Sequence, residues 1–200
     1  MTVQNSTAVR NAQGDAWETA MGTSTKWRIY SGAQPANCAA AASGTLGAEF
    51  SLASDWSAAA ASGAKSLSSL PLSTTGLAPI TAGHYRVYDS AGSTCHEQGT
   101  CFATVNLSTN ALTAANSNVL NFASTTGVVV GMNASGTGVV PGSTVLAVTG
   151  TTVTLSLAST AGVANAAAIT FGGDLSIDNA NIAAGQTVQI TAFTKTWPGA

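Results

Sequence analysis

The spacing of apolar and polar positions changes after residue 22. Before it, apolar residues recur at helical intervals, Asn5 or Ser6 can cap the first turn, and Gly22 follows as a C-terminal stop. This pattern predicts one N-terminal helix over residues 6–21, with Asp15 and Glu18 off its apolar stripe. The stripe expected to face the core consists of Val9, Ala12, Ala16, Trp17, Ala20 and Met21.

From residue 23 onward, short segments rich in β-branched and aromatic residues alternate with clusters of Gly, Ser, Asn and Pro. This alternation is typical of antiparallel β structure. Along 187–194, Val188 and Ile190 share one face, and Phe193 breaks the phase, which predicts a bulge or an early strand end. The predicted strands lie near 25–31, 46–52, 64–70, 83–89, 94–104, 174–178 and 186–196.

A central segment, residues 105–171, has a different composition. It contains no Lys, Arg, Asp, Glu, His, Cys or Trp, and residues 149–155 have the pattern of a hairpin turn followed by a strand. We interpret it as a small β-module inserted into a core formed by 1–104 and 172–200. The predicted fold is mainly β: a jelly-roll-like β-sandwich with one N-terminal helix and this inserted module.

The pattern aromatic–Arg–β-branched–Tyr occurs twice, as WRIY at 27–30 and YRVY at 85–88. In a strand, the first and third residues of each copy would face the core, and the second and fourth would face away from it. Each arginine then shares a face with tyrosines and can lie over a ring. The repeat predicts two strands of one sheet, and a compatible interpretation is a subunit contact formed by Arg28, Tyr30, Arg86 and Tyr88.

Charge is scarce throughout the chain. Charged residues make up 7% of it, against about 25% in a typical soluble domain, and the net charge is −2 with a mean hydropathy of +0.26. The six basic residues are scattered, so a nucleic-acid partner gains little support. Hydroxyl and amide groups supply the polarity, which suits a subunit of a large assembly. We expect no membrane span and no secretory signal.

The residues that could carry chemistry form no recognised catalytic or metal-binding pattern. Cys95 and His96 are adjacent, so a strand would point them to opposite faces, and no Gly-x-Ser-x-Gly elbow is present. A metal site built from His84, Cys95, His96, Glu97 and Cys101 lacks zinc-like spacing. Asp174 and Asp178 share a strand face by parity, but Asp178 suits a turn. We therefore expect no catalytic residue, no metal site and no cofactor.

The three cysteines, Cys38, Cys95 and Cys101, are an odd number and do not suggest a disulfide framework. We expect free thiols packed as small apolar groups. A Cys38–Cys95 bridge formed late is left open at this point.

Several segments resemble a family of small tailed-phage proteins that are encoded among virion structural genes. The resemblance covers roughly residues 1–104 and 172–200, and residues 118–157 separately resemble a Thr/Val/Gly module that recurs in phage structural and fibre proteins. The segments that carry the family resemblance are 9–12, 18–24, 27–32, 35–40, 83–92, 94–96, 178–182 and 185–188.

This resemblance implies a non-enzymatic virion protein, assembled in the host cytoplasm, that decorates or cements the outer capsid surface. Its partners would be the major capsid protein and further copies of itself in a homo-oligomer, with no nucleic acid and no membrane. Alternatives are a tail, neck or fibre component, or a module that binds host-surface glycans through the insertion. The expected interface residues are Arg10 and Trp17 of the helix together with Arg28, Tyr30, Arg86 and Tyr88.

Overall fold

A computed structural model describes residues 4–197, so the outermost ends of the predicted core, 1–3 and 198–200, lie outside it. The fold is mainly β with one helix, as predicted. None of the helical structure within 4–197 is long and apolar enough to cross a membrane. The elements are α1 (Thr7–Met21), β1 (Lys26–Ser31), β2 (Leu46–Ser51), β3 (Ala64–Ser66), β4 (Leu72–Thr75), β5 (Ile80–Tyr88), β6 (Cys95–Ala103), β7 (Val105–Ser108), β8 (Val119–Asn121), β9 (Asn133–Gly136), β10 (Val145–Val148), β11 (Thr152–Leu155), β12 (Ala168–Gly172), β13 (Leu175–Ile177), β14 (Asn181–Ile182) and β15 (Thr187–Thr196).

The chain divides into two compact units. The first, which we call the core unit, joins Met1–Cys101 to Asp174–Ala200, and the second, the inner unit, is Phe102–Gly173. The sequence had suggested 1–104 with 172–200 for the core and 105–171 for the inserted module. Each unit has its own cluster of buried apolar side chains.

The core unit contains a nine-stranded sheet that curves around its apolar centre. Its main path runs β2-β1-β5-β6-β13-β15-β3, with β14 paired to β5 and β4 paired to β15. Trp27 of β1 and Phe193 of β15, far apart along this path, meet edge to face with ring centroids 4.7 Å apart. The sheet therefore folds over itself into a sandwich-like arrangement, with aromatic side chains between its two halves.

The break in alternation at Phe193 marks a β-bulge. Leu175 pairs with Phe193, but Ile177 pairs with Ile190, so β15 contributes one extra residue between these pairs. The bulge returns Phe193 to the buried face used by Val188 and Ile190. The bulge expected from the sequence is thus confirmed, and the alternative of an early strand end is wrong, because β15 continues to Thr196.

The inner unit is built from two three-stranded antiparallel sheets, ordered β10-β11-β8 and β7-β12-β9. The predicted hairpin at 149–155 is present, since Val148 of β10 pairs with Val153 of β11. Phe122 and Phe171 are buried and contact each other at 5.7 Å between centroids. Short strands of Thr and Val, joined by glycine turns, therefore enclose a small aromatic and aliphatic core.

Helix α1 begins and ends as predicted, but it buries a different face. Ser6 caps it by accepting a hydrogen bond from the Val9 N–H, and the helix ends at Met21 before Gly22, which has a φ of 82°. The predicted stripe is right for Trp17 and Met21 but wrong for its three alanines and Val9, which are exposed. The helix residues that are buried or half-buried are Arg10, Asn11, Gly14, Trp17, Glu18 and Met21.

Candidate functional site

The two copies of the repeated tetrapeptide are neighbouring strands of one sheet. β1 and β5 pair antiparallel, and Arg28 stands directly opposite Arg86. The first and third residues of both copies are fully or almost fully buried in the core, as predicted from alternation. The repeated pattern therefore gives two neighbouring strands the same arrangement of buried and outward-facing side chains.

On the other face of these strands, both guanidinium groups approach one tyrosine ring. The Cζ of Arg28 lies 4.6 Å, and the Cζ of Arg86 5.5 Å, from the centroid of Tyr88. The hydroxyl oxygens of Tyr30 and Tyr88 are 3.5 Å apart. Burial, together with the neighbouring Tyr30 hydroxyl, raises the pKa of Tyr88 to about 12. We call Arg28, Tyr30, Arg86 and Tyr88 the arginine–tyrosine face.

Arg28 is held by a carboxylate and by a turn. Its Nε donates to Glu49 Oε2 at 2.6 Å across the β1–β2 pair, and its Nη1 donates to the Gly92 carbonyl at 3.0 Å. Burial on its own lowers the pKa of Arg28, but the bond to Glu49 outweighs it and the pKa is raised. The Nζ of Lys26 also lies 3.8 Å from Glu49 Oε1. Arg28 is thus a compensated charge that attaches the turn after β5 to β1.

Arg86 has a different environment, because its side chain is buried. The residue is 1% exposed, and Nη2 donates to the carbonyls of Cys38 at 2.7 Å and Ala40 at 2.9 Å. Its Nε donates to Cys95 Sγ at 3.2 Å. Arg86 therefore fixes the long β1–β2 loop onto the sheet. A positive charge here is stabilised by carbonyl dipoles and a thiol sulfur.

This burial corrects the expectation that all four residues of the arginine–tyrosine face contact a partner directly. Tyr30 and Tyr88, like Arg86, are buried within the chain itself, and only Arg28 keeps appreciable exposure. The physical reason is the β1–β2 loop, which covers the end of the face. The position of this loop could not be inferred from strand alternation alone.

A cleft of about 240 Å³ lies beside the loop, in the core unit. Burial first, and the adjacent Cys95 thiol second, raise the pKa of Cys38 to about 11. Cys101 lies apart, fully buried in the core, as expected for a thiol that packs as an apolar group. The cleft is lined by Cys38, Ala39, Ala40, Ala41, Ala42, Arg86, Tyr88, Ser93 and Cys95.

The two helix residues expected at an interface lie against the sheet of the core unit. Trp17 packs edge to face on Trp56 at 5.3 Å and stacks on Phe193 at 6.2 Å. Arg10 is half-buried, and its guanidinium lies against Gly63, whose φ of 75° favours glycine. The helix thus docks on the sheet of its own core unit.

Glu97, considered in the sequence analysis only as a possible metal ligand, has a role that was missed there: it is the acceptor that joins three elements of the core unit. Its Oε1 accepts from the Tyr85 hydroxyl at 2.8 Å, and its Oε2 accepts from Trp17 Nε1 at 2.7 Å and pairs with Lys195. The sequence feature that could have pointed to Glu97 is the scarcity of charged residues. A carboxylate in a strand of so apolar a chain needs partners, and Lys195 is one of few candidates.

His84 is a buried side chain of the core unit. Its Nδ1 lies 3.0 Å from the Gly32 carbonyl, its ring stacks on Tyr30 at 5.3 Å, and burial lowers its pKa. Across residues 4–197, no three His, Cys, Asp or Glu side chains come together in a way that could hold a metal ion. The geometry supports a packing role for His84.

No family model, no curated protein and no solved structure matches this chain.

Proposed function

We propose that this protein is a non-enzymatic structural subunit of a tailed-phage virion that decorates the outer capsid surface as a homo-oligomer. The observation that carries the proposal is the surface of the inner unit. Phe102–Gly173 contains no charged residue at all, yet it exposes a set of aliphatic side chains. The exposed members are Leu112, Val119, Val129, Val130, Leu146 and Leu157.

Such a surface favours burial against another protein. Isolated apolar side chains are common on monomers, but a whole unit without charge lacks the repulsion that keeps proteins apart at high concentration. Contacts made by this surface would gain from apolar burial and would depend little on salt. The major capsid protein and neighbouring copies of this chain are the partners that a repetitive lattice offers.

The direct test is the copy number of this chain in purified virions, measured by quantitative mass spectrometry against the major capsid protein. A value in the hundreds supports decoration of the capsid lattice. A few dozen copies or fewer would favour the alternative, a tail, neck or fibre component. Absence from virions would overturn the proposal altogether.

A matched pair of variants tests the surface itself. Leu146 in the inner unit and Leu77 in the core unit are both 56% exposed. We expect Leu146→Glu to weaken self-association in sedimentation velocity and Leu77→Glu to leave it unchanged, with the wild type insensitive to added salt. Equal effects of the two variants, or a wild type that stays monomeric at high concentration, would contradict the role assigned to the inner unit.

The glycan-binding alternative has less support. Sugar sites usually present an exposed aromatic ring, but Phe122 and Phe171 of the inner unit are buried against each other. Binding of the purified protein to host cells, lost when residues 102–173 are deleted, would nevertheless favour it over decoration.

A further inference from the structure

Two of the three free thiols share one wall of the 240 Å³ cleft in the core unit. Cys38 comes from the β1–β2 loop and Cys95 from the first position of β6. Arg86 links them, since its Nη2 donates to the Cys38 carbonyl at 2.7 Å and its Nε donates to the Cys95 sulfur at 3.2 Å. The Cys95 thiol is also among the groups that raise the pKa of Cys38. The third thiol, Cys101, is buried elsewhere in the core.

We propose that Cys38 and Cys95 form an intramolecular disulfide when the protein meets an oxidising solution. The oxidant class is a small-molecule disulfide such as oxidised glutathione. One cysteine thiolate attacks a sulfur of the oxidant and releases one glutathione thiolate. The second cysteine thiolate then attacks the mixed disulfide and releases the other. The protein loses two protons and two electrons, and one oxidised glutathione becomes two reduced molecules.

The pairing follows from accessibility as well as proximity. Both cysteines are half-buried at the edge of a cleft that a small reagent can enter, whereas Cys101 is fully enclosed. The loop that carries Cys38 is already held to β5 by Arg86, which keeps Cys38 at the same cleft as Cys95. A reducing cytoplasm would keep the thiols free, and release from the cell would allow the bond to form.

The bond would tie the β1–β2 loop to β6 and close the chain between residues 38 and 95. A cross-link across a loop of this length restricts the unfolded chain, so we expect the melting temperature of the core unit to rise by about 5–15 °C. The prediction does not depend on the proposed virion role, because it concerns the purified chain alone.

The test uses the full-length protein, purified under reductant and then incubated with oxidised glutathione. Expected results are an intact mass lower by two hydrogen atoms, a linked peptide pair containing Cys38 and Cys95, a raised melting temperature, and reversal of all three by dithiothreitol. Cys101→Ala should retain the cross-link. Cys38→Ser and Cys95→Ser should each abolish it and leave a single glutathione adduct.

Some results would overturn the proposal. These are two glutathione adducts in the wild type without a linked peptide, a linked peptide that contains Cys101, or no reaction of the folded protein although the urea-unfolded chain reacts. If a serine variant fails to fold, alkylation of the folded wild type with a bifunctional maleimide provides a second measurement. A cross-link between residues other than 38 and 95 would then count against the pairing.

Discussion

The ion pairs that attach helix α1 to strand β3 predict an asymmetric response to mutation. Lys65 Nζ lies 2.8 Å from Asp15 Oδ1 and 2.6 Å from Glu18 Oε2. The lysine side chain is 1% exposed, whereas those of Asp15 and Glu18 are 59% and 26% exposed. The cation is therefore the buried partner, and the carboxylates can return to water when the pairs are broken. Removing the acids should cost more than removing the lysine.

The magnitudes follow from this difference in burial. Asp15→Asn combined with Glu18→Gln leaves a buried ammonium without a counter-charge, which costs about 3–5 kcal/mol of unfolding free energy. Lys65→Met keeps much of the buried volume and removes the charge, so its cost should be about 0–2 kcal/mol. We therefore expect the double variant to be less stable than Lys65→Met by about 2–4 kcal/mol.

The pH dependence has a definite sign. Burial on its own lowers the pKa of Lys65, but the hydrogen bonds to Asp15 and Glu18 outweigh it and raise the pKa above 10.5. In the wild type this stabilisation is fully present below pH 10.5 and is lost as the pH rises through the raised value. In the double variant the two negative charges are gone and burial lowers the pKa of Lys65, so the stability difference from wild type should shrink between about pH 7 and pH 10.

Tryptophan fluorescence during urea unfolding suits this measurement. None of the four tryptophans lies in Phe102–Gly173, so the signal reports the core unit alone even if the two units unfold separately. Asp55→Asn removes an exposed carboxylate and serves as the control, with an expected effect of less than about 0.5 kcal/mol. The reasoning fails if Lys65→Met destabilises the core unit as much as the double variant does.

Three further predictions test individual positions. Gly44 and Gly22 both have a positive φ, but a Cβ at Gly44 would overlap the Ser31 carbonyl, whereas Gly22 has open space around it. Gly44→Ala should therefore be more destabilising than Gly22→Ala by at least about 1 kcal/mol in urea unfolding. The hydrogen bond from the Ser93 backbone N–H lowers the pKa of Asp89 to about 2. The stability that this carboxylate adds should therefore be present above about pH 4 and lost as the pH falls toward 2. In thermal melts, the difference in melting temperature between wild type and Asp89→Asn should shrink over that range. Thr109 is buried in the inner unit with its hydroxyl bonded to two backbone groups, so Thr109→Val should cost about 1–3 kcal/mol by calorimetry.

The strands could be predicted because alternation is a local property of the chain. β15 shows this best, since even its bulge was visible as a break in phase at Phe193. The strands of the core unit that were missed, β4 and β14, have only four and two residues. So few residues show little alternation, and their sequence therefore carries little signal.

The helix shows where local reasoning fails. Helical spacing predicted its length, but the alanines of the apparent stripe face solvent while Asn11 faces the sheet. Asn11 Oδ1 accepts a hydrogen bond from the Gly63 N–H at 2.8 Å. The nearby Lys65 forms ion pairs with Asp15 and Glu18 of the helix. The buried face is thus chosen by polar partners about fifty residues away, which hydrophobic periodicity cannot detect.

The scarcity of charge can be understood from what the basic residues do. Each of the six contacts an identified partner in the structure, and three of these contacts position a segment: Lys65 holds the helix, Arg86 the β1–β2 loop, and Arg28 the turn at Gly92. The inner unit has no such contacts because it has no charge. Substitution of Lys65, Arg86 or Arg28 in the core unit should therefore act on folding, whereas a charge introduced into the inner unit should act on association. The contacts of the six are Lys26–Glu49, Arg28–Glu49, Lys65–Glu18, Lys195–Glu97, Arg86–Cys38 and Arg10–Thr7.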